Sequence, residues 1–238
     1  MKLAVISDIH GNRLALEAAL EDIARQGADA CVNLGDLVSG PMEPDKVADI
    51  LMDAAMPTVR GNHDRVLVEA AAPGPVDRFA QARLRPGHMA WLAGLPATLT
   101  LRDDVFLCHG TPTSDETPWL DGWWQGRTVT TPDAAEVAAA AEGVASAVML
   151  CGHTHVAHAV RLRDGRLIVN PGSVGLQVNN GSPDARYAML AWRDGHCHVA
   201  FHAVPYDHEG AARQAEANGF PQWRAALVTG WASSRGLF

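Results

Sequence analysis

The chain has 238 residues, of which 47% are hydrophobic, and its formal net charge is −8. This length and composition are typical of a globular protein with a substantial core. The negative charge argues against a broad basic surface, so we expect no nucleic-acid partner. No apolar run reaches the roughly 18 residues of a membrane helix, and Asp8 comes too early for a secretory signal. We therefore expect a cytoplasmic protein without a membrane partner.

The first part of the chain alternates between apolar runs and amphipathic segments. The apolar runs predict strands over residues 2–6, 28–34 and 57–60. Apolar residues at helical spacing predict helices over 12–25 and 44–55, the second with a proline in its first turn. This β-α-β-α-β order is typical of an α/β fold with a parallel sheet.

The middle of the chain mixes both types of element. The predicted helices cover residues 63–72, 76–93 and 132–142, and the predicted strands cover residues 98–102, 105–108 and 147–151. Recurring prolines and glycines predict a loop over residues 111–131. The loop carries Trp119, Trp123 and Trp124, which either fill the core or wall a substrate pocket and stack on an aromatic group.

The last part of the chain changes character. Asp164-Gly165 and Asp194-Gly195 each lie between two apolar runs, which predicts two β-hairpins, over residues 156–169 and 186–204. A parallel half is thus expected to lead into an antiparallel half. The chain shows no internal repeat or linker, so we expect a single domain over residues 1–238, with 207–238 as a helical C-terminal extension.

The four cysteines are widely spaced and lie mostly in apolar runs. They are Cys31, Cys108, Cys151 and Cys197. Because no CxxC pair occurs, we expect buried free thiols and no disulfide framework.

Side chains that can bind metal ions follow the predicted strands. They are Asp8, His10, Asp36, Asn62, His109, His153 and His155. In open α/β sheets ligands bind outside the carboxyl ends of the strands, so these side chains can converge there. Imidazole combined with carboxylate and amide oxygen favours Mn, Fe or Zn over Mg or Ca. Two such ions about 3.5–4 Å apart can clamp the attacking and leaving oxygens of a phosphoryl displacement.

Each of these residues also has a simpler interpretation. Asp8, Asp36 and Asn62 alone would indicate helix N-caps after a strand. Their combination with His109 and the His153/His155 pair favours metal ligands. Glycines between the ligand positions would let the backbone pass close to the ions.

The order of these motifs resembles that of the calcineurin-like metallophosphoesterases. The blocks are Asp8-x-His10, Gly35-Asp36, Gly61-Asn62-His63-Asp64, His109 and Gly152-His153-x-His155. Residues 170–175 are also similar to a stretch of small bacterial members of the phosphodiesterase type, although they could form a tight turn and nothing more. The resemblance implies a four-layer α/β/β/α sandwich of two mixed sheets flanked by helices.

The resemblance also implies a dinuclear metal centre. The first ion would be bound by Asp8, His10, Asp36 and His155, and the second by Asp36, Asn62, His109 and His153, with Asp36 bridging. A hydroxide between the ions would attack phosphorus, and His63 would protonate the leaving oxygen as general acid. Asp64 either supports His63 or caps the next helix.

Two positions depart from the protein-phosphatase branch of the family. Where that branch has an Asp that orients the catalytic histidine and an Arg that grips phosphate, this chain has Ser39 and Gly40. The missing clamp favours a small phosphodiester or nucleotide as substrate. The alternatives are a phosphomonoesterase, acting on dinucleoside polyphosphates or phosphoproteins, a nuclease, and a non-catalytic scaffold of the same fold.

Overall fold

The computed structural model describes residues 1–70, 72–101, 104–124, 128–178, 181–232 and 237, and for residues 123, 124, 128 and 129 the backbone alone. The strands are β1 (Lys2–Ile6), β2 (Ala30–Asn33), β3 (Leu99–Leu101), β4 (Val105–Leu107), β5 (Gly122–Trp124), β6 (Thr128–Thr130), β7 (Val148–Leu150), β8 (Ala157–Arg161), β9 (Leu167–Pro171), β10 (Ala185–Arg193) and β11 (His196–Val204). The helices are α1 (Arg13–Arg25), α2 (Pro44–Ala54), α3 (Asn62–Glu69), α4 (Pro75–Gln81), α5 (Pro86–Ala93), α6 (Ala134–Ala140), α7 (His208–Ala217) and α8 (Arg224–Thr229), with a 3-10 turn at Pro221–Trp223.

Two mixed sheets carry the fold. The first has the strand order β11-β10-β1-β2, in which β1 and β2 are parallel and β10 and β11 are antiparallel to their neighbours. The second has the order β3-β4-β7-β9-β8, with three parallel central strands and an antiparallel strand at each edge. Strands β5 and β6 form a separate two-stranded ribbon.

The two sheets pack face to face, with helices on their outer faces. Val5 and Val32 of the first sheet belong to one buried cluster with Leu107, Leu150 and Val169 of the second. On the outer face of the first sheet, buried residues of β1 and β10 pack against α1 and α2. On the outer face of the second, residues of β7 and β9 pack against α6. The expected four-layer sandwich is confirmed.

Both predicted hairpins are confirmed, but the predicted order of a parallel half followed by an antiparallel half is wrong. The late strand β10 pairs with β1, from Lys2 opposite Ala191 to Val5 opposite Ala188. The first sheet therefore joins the two ends of the chain, and both sheets become mixed. Because the paired strands are so distant in sequence, no local pattern indicates that they pair.

Three predicted elements differ from the structure. Residues 57–60 form one isolated bridge between Thr58 and Asn33 instead of a strand, because the amide of Arg60 turns away to Pro96. The helix predicted over 76–93 is two helices, since the residue before a proline avoids helical geometry and Arg85 is extended before Pro86. The loop predicted over 111–131 contains the β5–β6 ribbon.

The segment after β11 is mainly helical and packs on the rest of the chain. Trp223, Ala211 and Ala215 form a buried cluster with Met42 and Leu176. The indole nitrogen of Trp223 donates to the carbonyl of Leu237 at 2.8 Å. None of the described helices is both long and apolar enough to span a bilayer.

Candidate metal centre

The predicted ligands lie on loops that leave the strands with unusual backbone geometry. Asp8 and His10 follow β1, Asp36 follows β2, and His153 and His155 follow β7. All five have positive φ, between 50° and 68°. This left-handed conformation costs a non-glycine residue about 1–2 kcal/mol, and such strain is concentrated at functional sites. The strain turns side chains from separate loops towards one place.

Glycines let the ligand loops approach each other more closely than other residues would. A Cβ on Gly152 would lie 2.1 Å from Ser7 Oγ and 2.9 Å from Asp8 Oδ2. A Cβ on Gly61 would lie 2.1 Å from Asp36 Oδ1. All three distances are below van der Waals contact, so only glycine fits at these two crossings.

The segment 170–175 supports the loop of Asp8. Ser173 Oγ donates to the Asp8 carbonyl at 2.7 Å, and the amide of Gly175 donates to the same carbonyl at 3.0 Å. A Cβ on Gly175 would lie 1.7 Å from the Ile9 carbonyl oxygen. The glycine in this segment thus allows its backbone to pack directly on the ligand loop.

Three of the predicted ligands form a first ligand group, comprising Asp8, His10 and His155. Their ligand atoms all lie within 4.8 Å of one another. Nε2 of His10 is 3.2 Å from Nε2 of His155, and Nε2 of His155 is 3.4 Å from Asp8 Oδ1. Asp8 and His10 are fully buried, and His155 is 5% exposed.

A second ligand group comprises Asp36, His109 and His153, which also lie within 4.8 Å of one another. Asp36 Oδ2 is 3.2 Å from His109 Nε2 and 3.9 Å from His10 Nε2, which belongs to the first group. Asn62 Oδ1 lies 3.1 Å from His109 Nε2 and 3.1 Å from His153 Nδ1. Asp36 thus belongs to the second group but also faces the first, and Asn62 adjoins the second.

Backbone carbonyls fix the orientation of three ligand histidines. Nδ1 of His10 contacts the Ser39 carbonyl at 2.8 Å, that of His109 contacts Leu34 at 2.7 Å, and that of His155 contacts Leu176 at 2.7 Å. Because a carbonyl only accepts hydrogen bonds, Nδ1 carries a proton in this network, and Nε2 is the nitrogen that faces the ligand group. Metal-binding histidines are typically held in this way.

The donor atoms fit bound cations. The lone pairs of His10 Nε2 and His155 Nε2 face each other at 3.2 Å, which is favourable only with a positive charge between them. Asp8 Oδ1 is buried without a hydrogen-bond partner among the described residues. An ionised buried oxygen of this kind needs a compensating charge.

Charge and burial set the ionisation of the ligands. Burial and the nearby His155 lower the pKa of His10 to about 3, and burial and His109 lower the pKa of His153 to about 4. Burial also acts to lower the pKa of His109, but the carboxylate of Asp36 outweighs it and raises the value to about 10. His10 and His153 are therefore neutral, which is the form of imidazole that binds metals, whereas His109 must release a proton when a metal binds.

Asp64 holds the loops of the second group together. Its two carboxylate oxygens accept hydrogen bonds from the amides of Gly61 at 2.9 Å, Asp36 at 2.8 Å and Leu37 at 3.0 Å. Burial and the charge of Asp36 raise the pKa of Asp64 to about 7. The contact with the amide of Gly61, the N-cap residue of α3, matches the helix-capping alternative for Asp64.

The carboxylate that contacts the His63 ring is Asp77, which the sequence analysis did not single out. Asp77 Oδ1 lies 3.2 Å from His63 Nδ1, and Ser39 Oγ lies 3.5 Å from the same nitrogen. Burial acts to lower the pKa of His63, but the charges of Asp36 and Asp77 outweigh it and raise the value. Asp77 lies on α4 within a segment predicted simply as helix, so no local motif marked it.

A cavity of about 300 Å³ adjoins the second group. Its lining includes His109 and the hydroxyl residues Thr98 and Thr111, together with Arg60 and Arg65. Arg65 pairs with Asp115 at 2.7 Å and with Glu116 at 2.6 Å, and Arg60 pairs with Glu69 at 3.1 Å. The cavity therefore offers hydroxyl groups, whereas its two guanidinium groups already have carboxylate partners.

None of the tryptophan side chains that the structure describes lines this cavity. Trp119 is 3% exposed and packs beneath α6. Its Nε1 donates to the Val137 carbonyl at 3.1 Å. The structure thus favours the core-filling alternative for Trp119, while the side chains of Trp123 and Trp124 lie outside the described residues.

Two adjoining groups of carboxylate and imidazole ligands, at the ends of strands in a four-layer α/β sandwich, define the class of metal-dependent phosphoesterases. Residues 1–195 match the family described as the calcineurin-like phosphoesterase superfamily domain. The chain belongs to that superfamily and is a phosphate ester hydrolase.

Individual relatives agree with this membership. Phosphodiesterase YfcE of Escherichia coli K12 is 31% identical over 199 residues, which cover 80% of this chain and 87% of that protein. The uncharacterized protein MJ0912 of Methanocaldococcus jannaschii is 24% identical over 245 residues, covering 93% of this chain and 94% of that one. The crystal structure of a metallophosphoesterase from Sphaerobacter thermophilus matches with a TM-score of 0.76 and 27% identity, covering 96% and 100% of the two chains.

Proposed function

We propose that this protein is a two-metal phosphodiesterase that hydrolyses a small phosphodiester or nucleotide, with His63 as general acid. The observation that carries the proposal is the pair of adjoining ligand groups with the Asp36 carboxylate between them. One ion would be held by the first group and Asp36, and the other by the second group and Asn62. The donor set favours Mn, Fe or Zn. When bound, two such ions supply hydroxide at neutral pH and neutralise charge on the phosphate.

The protein itself supplies a proton donor beside this centre. The His63 ring lies edge-on to the His10 ring, with 5.5 Å between centroids. Its backbone amide donates to Asp36 Oδ1 at 2.9 Å, which ties the start of α3 to the ligand between the groups. In this position His63 protonates the leaving oxygen, a role that typically contributes about 10²–10⁴-fold to the rate.

The loop after Asp36 supports a diester substrate. A Cβ on Gly40 would lie 1.6 Å from the His10 carbonyl oxygen, so this backbone does not accommodate an arginine at that position. The two arginines of the adjoining cavity already pair with carboxylates. A diester carries one negative charge fewer than a monoester and depends less on such a clamp. The 31% identity to a protein named as a phosphodiesterase supports the same preference.

The test compares a diester with a monoester. Bis(p-nitrophenyl) phosphate and p-nitrophenyl phosphate are incubated with Mn²⁺-loaded protein and with its His63→Ala variant. We expect faster cleavage of the diester and at least about a 10²-fold loss of kcat in the variant. His158→Ala is the matched control, because His158 also pairs with an aspartate, Asp121, at 3.1 Å but belongs to neither ligand group.

The outcomes separate the alternatives. Faster cleavage of the monoester would replace the diesterase with a phosphomonoesterase. If neither ester turned over with metal bound, a panel of nucleotide diesters would follow, and failure on all of them would favour the scaffold. Full activity of His63→Ala would remove the general-acid role while leaving the hydrolase intact.

A further inference from the structure

His63 and Asp77 form a pair across two helices beside the ligand groups. His63 is the second residue of α3, and Asp77 is the third residue of α4. Their side chains meet through Nδ1 and Oδ1 at 3.2 Å. Ser39, on the loop after Asp36, donates from Oγ to the same carboxylate oxygen. Three separate segments thus converge on one oxygen of Asp77.

The burial of this pair strengthens the hydrogen bond between His63 and Asp77. The Asp77 side chain is 8% exposed and that of His63 is 18% exposed. Charge-assisted hydrogen bonds that are shielded from water are stronger than exposed ones, because the local dielectric is low. A carboxylate at Nδ1 holds an imidazole in one tautomer and one orientation, and it stabilises the imidazolium form. The opposite nitrogen, Nε2, is then the one that can transfer a proton.

We propose that Asp77 is the positioning residue for His63, accepting its Nδ1 hydrogen and directing Nε2 towards the leaving oxygen of the substrate. This inference rests on the proposed role of His63 as general acid. Ser39 fills the position next to the pair and adds a second donor to Asp77. The orienting carboxylate therefore comes from α4 and not from the loop that follows Asp36 or from Asp64.

Asp77 also has a structural role that the test must separate. The backbone of Gly74, which precedes α4, hydrogen bonds to the same carboxylate. An acid at the third position of a helix commonly caps the helix start in this way. Asp77→Asn keeps the shape and one acceptor oxygen for that cap, but it removes the charge from the pair with His63.

The diagnostic readout is dependence on the leaving group. General acid catalysis matters most when the leaving oxygen is basic, so we compare diphenyl phosphate with bis(p-nitrophenyl) phosphate. We expect Asp77→Asn to lower kcat on the phenyl ester by about 10²-fold or more, and on the nitrophenyl ester by less than about 10-fold. KM and the bound metal content should stay the same. In the His63→Ala background, Asp77→Asn should add no further loss, because the two residues act as one unit.

Asp121→Asn is the matched control. Asp121 is 3% exposed and pairs with His158 at 3.1 Å, so the substitution removes the same kind of charge from a similar pair. We expect no dependence on the leaving group in this variant. Thermal unfolding of all variants reports any damage to the fold, and Ser39→Ala, which keeps the Asp77 charge, gives a second and milder perturbation of the pair.

Equal losses on both esters in Asp77→Asn, or a further loss on top of His63→Ala, would show that Asp77 only supports the fold. If His63→Ala itself showed no dependence on the leaving group, the proposed role of His63 as general acid would be wrong, and the role of Asp77 would be rejected with it. A dependence in His63→Ala that is missing from Asp77→Asn would overturn the role of Asp77 alone.

Discussion

The two ligand groups differ in how the protein surrounds them. The first is buried: His10 is fully enclosed, its ring lies 6.4 Å from that of Trp223, and the turn around Ser173 hydrogen bonds to the Asp8 loop. The second is more open, since His153 and Asn62 are both partly exposed and His109 borders a cavity. We therefore expect substrate to approach from the second group, while the first lies against the helices that follow β11.

We expect this difference in burial to give the two groups different roles, the first in holding its ion and the second in receiving the substrate. Buried ligands with fixed tautomers hold a cation with little reorganisation, so the first group is expected to retain its ion more firmly. Partly exposed ligands leave room for the substrate oxygens that take part in the reaction. His63 adjoins both groups, since its ring lies 5.5 Å from that of His10 and its amide donates to Asp36. The comparison predicts that changes at the two groups have different consequences.

Asp36→Asn should have the largest effect, because Asp36 is the carboxylate between the groups. We expect a loss of kcat of at least about 10³-fold and a lower content of both metals, measured by elemental analysis, since two ions share the stabilisation of the reacting phosphate. Asp53→Asn, at an exposed position on α2, is the control. Loss of only one metal would show that the groups bind their ions independently.

Gly152→Ala and Gly61→Ala should have the next largest effects and should separate the groups. The new methyl group would lie 2.1 Å from Ser7 Oγ in the first case and 2.1 Å from Asp36 Oδ1 in the second. Overpacking of this kind typically costs about 1–3 kcal/mol of unfolding free energy. Urea unfolding should show lower stability in both variants. Metal titration should show weaker binding of the first metal in Gly152→Ala and weaker binding of both metals in Gly61→Ala.

Gly87→Ala provides the control for these two variants. Gly87 lies in α5, and a methyl group added there would meet no atom of the described residues within 4 Å. Alanine at this position should therefore leave stability unchanged or raise it by up to about 1 kcal/mol. An equal loss in all three variants would mean that glycine flexibility, and not the close crossing of the ligand loops, sets the effect.

The sequence predicts most of the fold and the convergence of the ligand loops because these features leave local patterns. Strand β1 and its Asp8-x-His10 motif are adjacent in the chain, and Asp194-Gly195 adopts the positive φ values that its hairpin turn requires. The assignment of each ligand to an ion stays a prediction that the metal titrations above address.

Asp77 and Trp119 show where sequence reasoning stops. Asp77 meets His63 only because the chain turns back between α3 and α4, and no spacing rule encodes that return. For Trp119 the sequence offers core filling as one of two alternatives, but it does not indicate that the indole packs on α6 and donates to the Val137 carbonyl. Both contacts depend on tertiary packing, whereas Asp8, Asp36 and His109 lie directly after strands that the sequence predicts.

The smallest expected effect concerns a contact between α1 and β10 that includes no ligand residue. Asp22 on α1 accepts a hydrogen bond from the Tyr187 hydroxyl on β10 at 2.6 Å and pairs with Arg25 at 3.2 Å. The Tyr187 hydrogen bond is the main cause that lowers the pKa of Asp22, burial opposes it, and Arg25 adds to it. A carboxyl group with a lowered folded-state pKa stabilises the protein above its unfolded pKa of about 3.9, and this contribution is lost as pH falls through the folded value.

Asp22→Asn should therefore lower the free energy of unfolding by about 1 kcal/mol at pH 7, and the difference from the unsubstituted protein should close as the pH falls below about 4. Urea unfolding across this range measures it, with Glu21→Gln as the control because Glu21 pairs with Arg25 alone among these groups. A difference that stays constant with pH would show that the carboxylate charge is not its cause. Since Asp22 hydrogen bonds to Tyr187 and Arg25, neither of which is a ligand residue, kcat and metal content should not change, and a fall in kcat would show that this contact does more than stabilise the fold.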